Sequence, residues 1–423
     1  MNSFTTRWLI LLGLLAGGNA APKCLAQAAG PGSKPDYTAL RARMVEEDLA
    51  GQGIQNERVL QAFRDTPRHE FVAGNQRQFA YFDMAIPIGK SQTISAPFVV
   101  AYMTEQLDPQ PTDKVLEIGT GSGFQAAILS PLVKDVYTIE IVESLGQGAQ
   151  RVLDRLKYKN VHTKIGDGFQ GWAEHAPFDK IIVTCSPEEV PVPLVEQLKE
   201  GGLMVVPVGE RYQQVLYLMQ KKDGKLEQKL LRPTLFVPMT GKAENERKVL
   251  PDPAKPEIQN SSFEELAGDS QEPVAWYYAR QMSVMENPQA PAGKRFIRFS
   301  NDVPGRGTRM MQGLAVDGRK VDALELSCHV QAENVVAGAN KDEKACVTIT
   351  FFDENRARVG YNWIGPFSGS FAWKKERLRI PVPAQAREAL VHVGMFGATG
   401  TIDFDAVELR AITAQELRAE QPK

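Results

Sequence analysis

An α/β domain followed by an all-β sandwich is the fold class that this 423-residue sequence predicts. Two changes of pattern carry the prediction. From residue 112 onward, nearly continuous apolar runs alternate with helical stretches, as expected of a parallel sheet covered on both faces. Beyond residue 259 helical periodicity becomes scarce, and short apolar/polar alternation is broken by Gly, Pro, Asn and Asp turns, the pattern of packed antiparallel strands.

The elements follow in order. Residues 36–51 and 56–64 read as helices, the second with Asn56 as N-cap and Val59, Leu60 and Phe63 on one face. Residues 85–97, AIPIGKSQTISAP, have no period long enough for a helix or strand and read as a polar loop. KVLEIG is a strand, FQAAILSPLV a helix, VYTIEI a strand and ESLGQGAQRVLDRLKY a helix; VHTKIGDG, FDKIIVTC and GGLMVVPVG are strands. QVLYLMQKKDGKLEQKLLRP reads as an antiparallel edge pair turning at Lys222-Asp223-Gly224. Prolines at 251, 253 and 256 mark residues 246–258 as an extended linker between domains at 36–245 and 259–413. Each side has its own apolar pattern, so a break near Pro253 is expected to leave the first domain folded. The sandwich strands are KRFIRFS, ALELSCHVQ, CVTITFFD, ERLRIPVP, ALVHVGMF and TIDFDAVELR.

Composition narrows the function. The 49 basic and 51 acidic residues leave a formal charge of −2, and no dense basic face stands out, so nucleic acid is not an expected partner. The N-terminus has one positive charge at Arg7, an apolar run over residues 8–16 and then small residues, which predicts a signal peptide over 1–26 and export. That run is shorter than the roughly 20 apolar residues a membrane span needs. Ala-Pro-Lys before Cys24 does not suit lipidation. Cys328 is in phase with Leu324, Leu326 and Val330, whereas Cys346 is out of phase with Val347, Ile349 and Phe351, which argues against a disulfide. His69, His162, His175, His329 and His392 show no metal-ligand spacing, and no metal is expected.

The chemistry concentrates in LEIGTGSGF. A Gly-rich turn that leaves the first parallel strand and opens a helix lets the backbone approach a nucleotide-like ligand, as in Rossmann-like folds. A dinucleotide fingerprint would need glycine at Phe124; here the glycines are Gly119, Gly121 and Gly123, with Glu117 before them and Thr120 and Ser122 between. That spacing suits S-adenosylmethionine, whose charged amino-acid end can lie over the turn. Glu140 ends the second strand, where an acid accepts ribose hydroxyls, and Asp167-Gly168 ends the third, where adenine needs an acceptor. Each acid alone could be a solvated strand end; together they mark the carboxyl-end crevice of a parallel sheet.

With these residues the region 36–245 resembles the protein-L-isoaspartate O-methyltransferases. The resemblance rests on VLQAFRDTPRHEFV, AIPIGKSQTISAPFVVAYMTEQL, KVLEIGTGSGFQAAIL, GDGFQGW, APFDKIIVTCSPEEVP, LKEGGLMVVPVG and FVPMTG, with Cys185-Ser186 departing from the family's usual small residues. It implies carboxyl methylation of isoaspartyl residues in damaged proteins or peptides, with Ser95 as the active-site serine and Gln92 and Thr93 positioning the substrate. Apart from the resemblance, Ser95 could simply cap the helix that begins near Ala96-Pro97. Alternatives are another carboxylate acceptor, or a silent cofactor-fold protein whose sandwich binds glycan. The C-terminal region resembles carbohydrate-binding and galactose-binding-like jelly rolls in NSSFEE, PVAWYY and GATGTIDFDAVELR. It suggests a glycan or envelope partner stacked on Trp276, Tyr277, Tyr278, Trp363, Phe367 and Trp373, with Asp403 and Asp405 binding calcium or facing solvent. Export predicts a periplasmic enzyme; the cytoplasm, usual for the family and the place where the cofactor is made, is the alternative.

Overall fold

A computed structural model describes residues 36–267, 272–412 and 416. The expected signal segment 1–26 lies outside them. The first helix, α1 (Tyr37–Arg43), continues into a π-helical turn at Met44–Leu49 and a 3-10 turn at Ala50–Gln52. In α2 (Glu57–Asp65) the Asn56 side chain accepts the Arg58 and Val59 N–H groups, and Val59, Leu60 and Phe63 are buried.

AIPIGKSQTISAP differs from the polar loop its sequence suggests. It is a hairpin of β1 (Ile86–Gly89) and β2 (Gln92–Ile94), registered Ile86 to Ile94 and Pro87 to Thr93. Lys90 and Ser91 at its tip have φ of 53° and 57°, the left-handed pair that a twisted two-residue turn requires. Three- and four-residue strands are too short for alternation to register in a sequence, and only Ile86 and Ile94 turn inward. The chain then enters α3 (Pro97–Leu107).

The sheet is built from β3 (Lys114–Ile118), α4 (Phe124–Leu129), β4 (Asp135–Glu140), α5 (Glu143–Arg155), β5 (Val161–Ile165), β6 (Phe178–Val183), α6 (Val192–Gln197), β7 (Leu198–Glu210), β8 (Gln213–Lys222) and β9 (Lys225–Thr234), followed by α7 (Lys242–Asn245). Its order is β5-β4-β3-β6-β7-β8-β9, parallel through β7 and antiparallel at β8 and β9, which turn at Asp223-Gly224. Neighbours along a strand serve opposite cores. Val115, Val136 and Ile182 pack with α2, α3 and α4, while Leu116, Ile139 and Ile181 pack with Leu194 and Met239 on the other face. Strand order reverses at β3, which opens a crevice at the carboxyl ends of β3, β4 and β6.

The second half is a β-sandwich. After a short pair, β10 (Leu266–Ala267) and β11 (Glu272–Pro273), come β12 (Met282–Glu286), β13 (Arg295–Asn301), β14 (Arg309–Ala315), β15 (Ala323–Val336), β16 (Ala345–Phe352), β17 (Arg358–Phe367), β18 (Gly369–Pro381), β19 (Glu388–Gly394) and β20 (Thr399–Ala411). A five-stranded sheet, β12-β13-β20-β15-β18, faces a four-stranded one, β14-β19-β16-β17, across one core containing Phe299, Leu326, Val347, Phe351 and Phe404. Cys328 points into that core, and Cys328 and Cys346 are both free thiols.

Two expectations for this half are corrected. Asp403 and Asp405 are buried acids with internal partners: Asp403 takes a two-pronged ion pair from Arg298 at 2.8 Å, and Asp405 accepts the Ala292 and Ala406 N–H groups. The six aromatics form no common stacking face. Trp276, Tyr277 and Phe367 are buried, Trp373 packs edge-on against Phe296, and Trp363 stands exposed. Tyr277 and Tyr278 instead donate their hydroxyls to the Tyr212 and Leu235 carbonyls of the first module.

Further contacts join the halves. Arg280 pairs with Asp83, Arg232 with Glu272, and the Tyr212 hydroxyl donates to Glu388. The segment 246–258 has no helix or strand, yet its start is held: Arg247 is buried against the Ser186 and Gly209 carbonyls, and Glu188 accepts the Lys248 and Val249 N–H groups.

Candidate active site

The crevice is an open cleft between the carboxyl ends of the strands and the β1–β2 hairpin. Of the residues singled out in the sequence, Gln92, Thr93, Ser95, Glu117, Gly119, Thr120, Gly121, Ser122, Glu140 and Gly168 line it, whereas Gly123 and Asp167 do not.

The glycine turn is shaped by contacts on both sides. At Gly119 φ is +99°, and a Cβ there would lie 2.5 Å from Thr184 Oγ1, so only glycine lets β3 and β6 end this close together. The Gly121 N–H donates to Glu140 Oε2 at 2.7 Å, while Glu140 Oε1 accepts the Val142 N–H at 2.9 Å. Both Glu140 oxygens are thereby fixed at the cleft wall, each with lone-pair capacity left for a ligand hydroxyl. The Thr120 and Thr138 hydroxyls are bonded to each other at 2.7 Å. Gly123 serves packing, since a Cβ there would press on Leu153 and Ala149 of α5 at 3.2–3.3 Å.

Asp167 accepts backbone N–H groups with both of its carboxyl oxygens. Its Oδ1 accepts the Phe169 N–H and caps the following 3-10 turn, and its Oδ2 accepts the Lys242 N–H at the start of α7. The acid that sequence position suggested for adenine therefore fastens the end of β5 to the segment before α7. That segment, FVPMTG, supplies Phe236, Val237, Pro238, Met239 and Thr240 to the cleft. The Ser186 N–H donates to the Val237 carbonyl and the Met239 N–H to the Ser186 carbonyl, which explains how a loop after β9 reaches the cleft. Its match to the family motif was the available signal, although nothing in its composition assigns it a role. Cys185 also lines the cleft, and burial together with Glu140, Asp167 and Glu117 pushes its thiol pKa up, which disfavours the thiolate.

Glu117 is the chemically unusual residue. It is fully buried at the end of β3, and no protein group among the described residues hydrogen-bonds either carboxyl oxygen. Burial, reinforced by Glu140, pushes its pKa up to about 8. The Thr138 hydroxyl beside it, itself bonded to Thr120, works in the opposite direction without overcoming the burial. A buried acid without a partner is costly, and its position on the cleft fits a ligand that brings a positive charge.

Across from the glycine turn stands the hairpin. Ile88 of β1 lies over Gly121, 3.5 Å from where a Cβ would be, and Gln92, Thr93 and Ser95 face the cleft. Ser95 does not cap α3. Ala96 is the N-cap and makes no side-chain cap bond; Asp83 Oδ1 accepts the Phe98 N–H at 2.9 Å instead. Arg68, fully buried, donates to the Ser95 carbonyl at 2.7 Å and to the Ala80 carbonyl at 2.8 Å. Burial lowers its pKa to about 9, and its guanidinium lies 4.7 Å from the Phe124 ring centroid. Arg68 and Asp83 hold the Ser95 segment from below, and neither was singled out from sequence, because a lone Arg in a four-residue 3-10 turn or a lone Asp between short elements carries no periodic signal.

A parallel sheet with a glycine turn at its switch point, a strand-end carboxylate fixed to that turn and a buried unpartnered acid fits S-adenosylmethionine: Glu117 would hold the ammonium and Glu140 the ribose. Fold and site thus define an S-adenosylmethionine-dependent methyltransferase. The family model for protein-L-isoaspartate(D-aspartate) O-methyltransferase matches residues 41–244. A Pelotomaculum thermopropionicum protein-L-isoaspartate O-methyltransferase is 47% identical over 219 residues, covering 51% of this chain and 96% of the relative. One from Opitutus terrae is 50% identical over 201 residues, covering 47% and 86%. A Plasmodium falciparum structure of this description, in complex with S-adenosyl-L-homocysteine, aligns at 25% identity with a TM-score of 0.43, over 49% of this chain and 99% of its own. The chain belongs to the protein-L-isoaspartate O-methyltransferase family.

Proposed function

We propose that the protein methylates the free carboxylate of L-isoaspartyl residues in damaged proteins or peptides and so initiates their repair. S-adenosylmethionine, when bound, supplies an electrophilic methyl group on a sulfonium. The acceptor carboxylate, with an ordinary pKa near 4, is ionised at neutral pH and provides the electron pair of the new ester bond, so no general base is required. What the protein must supply is position. The Ser95 hydroxyl donates to the carboxylate without neutralising it, and Thr93 and Gln92 flank it on the hairpin. The ester then closes to a succinimide more readily than the acid, because methoxide is the better leaving group, and hydrolysis returns part of the material as aspartate.

The observation that carries this reading is the placement of Ser95. It faces the cleft opposite the glycine turn and is relieved of capping duty by Asp83. Incubation with an isoaspartyl peptide and S-adenosylmethionine should yield a base-labile methyl ester and, over repeated cycles, the aspartyl peptide. Failure to form either product sinks the reading.

We also propose that the enzyme acts outside the cytoplasm, on the strength of the charged, apolar and small-residue pattern of residues 1–26. Sequencing the N-terminus of protein recovered from fractionated cells tests it. A new N-terminus near residue 27 on periplasmic protein is expected, and an intact Met1 on cytosolic protein overturns it.

A further inference from the structure

An arginine of the sandwich reaches the segment that carries Ser95 from behind the cleft. Arg280 lies between β11 and β12, and its N–H donates to the Arg309 carbonyl of β14, so it is mounted on the four-stranded sheet. Its Nε and Nη2 both donate to Asp83 Oδ2, at 2.9 and 2.8 Å, in a pair whose side chains are each 12% exposed. The other oxygen, Asp83 Oδ1, accepts the Phe98 N–H, and Phe98 follows Ser95 by three residues. The same guanidinium lies 4.2 Å from the centroid of the Phe98 ring. One side chain therefore grips Phe98 twice, through its N–H by way of Asp83 and directly on its ring.

We propose that Arg280 is a positioning residue for methyl transfer, through which the appended sandwich fixes the Ser95 segment; this rests on the acceptor role proposed for Ser95. The first turn of α3 has N–H groups that need acceptors, and neither Ala96 nor Ser95 supplies a side-chain cap. Asp83 meets that need, and a carboxyl group so little exposed is held in place by the partners its oxygens find, here the Arg280 fork. Arg supplies that cation as a planar fork that holds one oxygen and leaves the other free, which a Lys point charge does less well. The family match ends at residue 244, so within the matched segment Asp83 has the buried Arg68 near it but no cation bonded to its carboxylate, and the sandwich adds that bonded partner in Arg280.

The test uses the full chain. Arg280→Ala should lower kcat on an isoaspartyl peptide about tenfold while changing S-adenosylmethionine affinity less than about twofold, because the misplaced atoms are those of the acceptor wall. Arg280→Lys should recover part of the loss. Asp83→Ala should cost a similar factor, and the double variant no more than the larger single one, since both act on Phe98 and the Asp83 contact depends on Arg280. Backbone amides of residues 92–98 should exchange hydrogen faster in Arg280→Ala, with β3 and β6 unchanged. Unchanged kcat in Arg280→Ala, or losses that multiply in the double variant, overturns the inference while leaving the proposed reaction standing. If the wild type itself fails to methylate the peptide, the proposed reaction falls, and the exchange at 92–98 decides the inference: faster exchange supports the Arg280 tether and unchanged exchange rejects it.

Discussion

Ser95→Ala is expected to slow methyl transfer to an isoaspartyl peptide about ten- to hundredfold, the value of one lost hydrogen bond to a charged group at roughly 1.5–3 kcal/mol. Cofactor affinity should stay nearly unchanged, because the serine stands on the hairpin side of the cleft, across from the glycine turn and strand ends to which the cofactor is assigned. The fold should be untouched as well. The backbone bonds that fix this segment run from Arg68 to the Ser95 carbonyl and from the Phe98 N–H to Asp83, and none involves the hydroxyl. A helix cap would behave otherwise: its loss lowers stability by about 1 kcal/mol with no specific effect on kcat. Steady-state kinetics with calorimetric measurement of cofactor affinity separates the two outcomes. A variant that melts earlier yet turns over at the wild-type rate assigns the serine to structure.

Glu117→Gln should weaken S-adenosylmethionine binding by a comparable factor, about ten- to hundredfold, since a charge-assisted contact to the ammonium is replaced by a neutral one. Its pH signature is more diagnostic than its size. Below the ordinary carboxyl pKa of 4.5, folded and unfolded chains both carry the proton and the group makes no difference to stability. Between there and about 8 the unfolded chain loses the proton while the buried carboxyl keeps it, so stability falls as pH rises; above about 8 the fall levels off. Glu117→Gln removes this component and flattens the decline, which melting curves across that range measure. Binding a cation at neutral pH forces the carboxyl to ionise, so the wild type should release up to about one proton per cofactor bound, and the variant should not. Calorimetry in two buffers of different ionisation enthalpy reads that proton. Equal release by both proteins assigns Glu117 no part in cofactor binding.

How far the sequence reached depended on the length scale of each feature. The apolar strands β3, β4 and β6 are read from their composition because both faces are buried, and the Gly119–Gly121–Gly123 spacing is legible because backbone sterics leave few residues able to turn there. The β1–β2 hairpin was not legible, with strands too short for a period and left-handed positions filled by Lys90 and Ser91 rather than glycine. β17 escaped for another reason. Tyr361 and Trp363 are apolar residues on its exposed face, so no apolar/polar alternation marks it. Asp167 illustrates the limit for sites. Its position at the end of β5 was legible, but the bond it accepts from the Lys242 N–H, 75 residues further on, was not, because no local pattern encodes that. The dependence of the Ser95 segment on Arg280 is longer in range still, 197 residues from Asp83, and belongs to a part of the chain that the family match does not reach.

The most direct measurement compares methyl transfer to two peptides of one sequence that differ only in whether a single aspartyl linkage runs through the β- or the α-carboxyl. The protein, with S-adenosylmethionine, should form a base-labile ester on the isoaspartyl peptide and leave the aspartyl peptide essentially unmodified. Equal transfer to both, or transfer to neither while the cofactor binds, would contradict isoaspartyl repair as the function of this cleft.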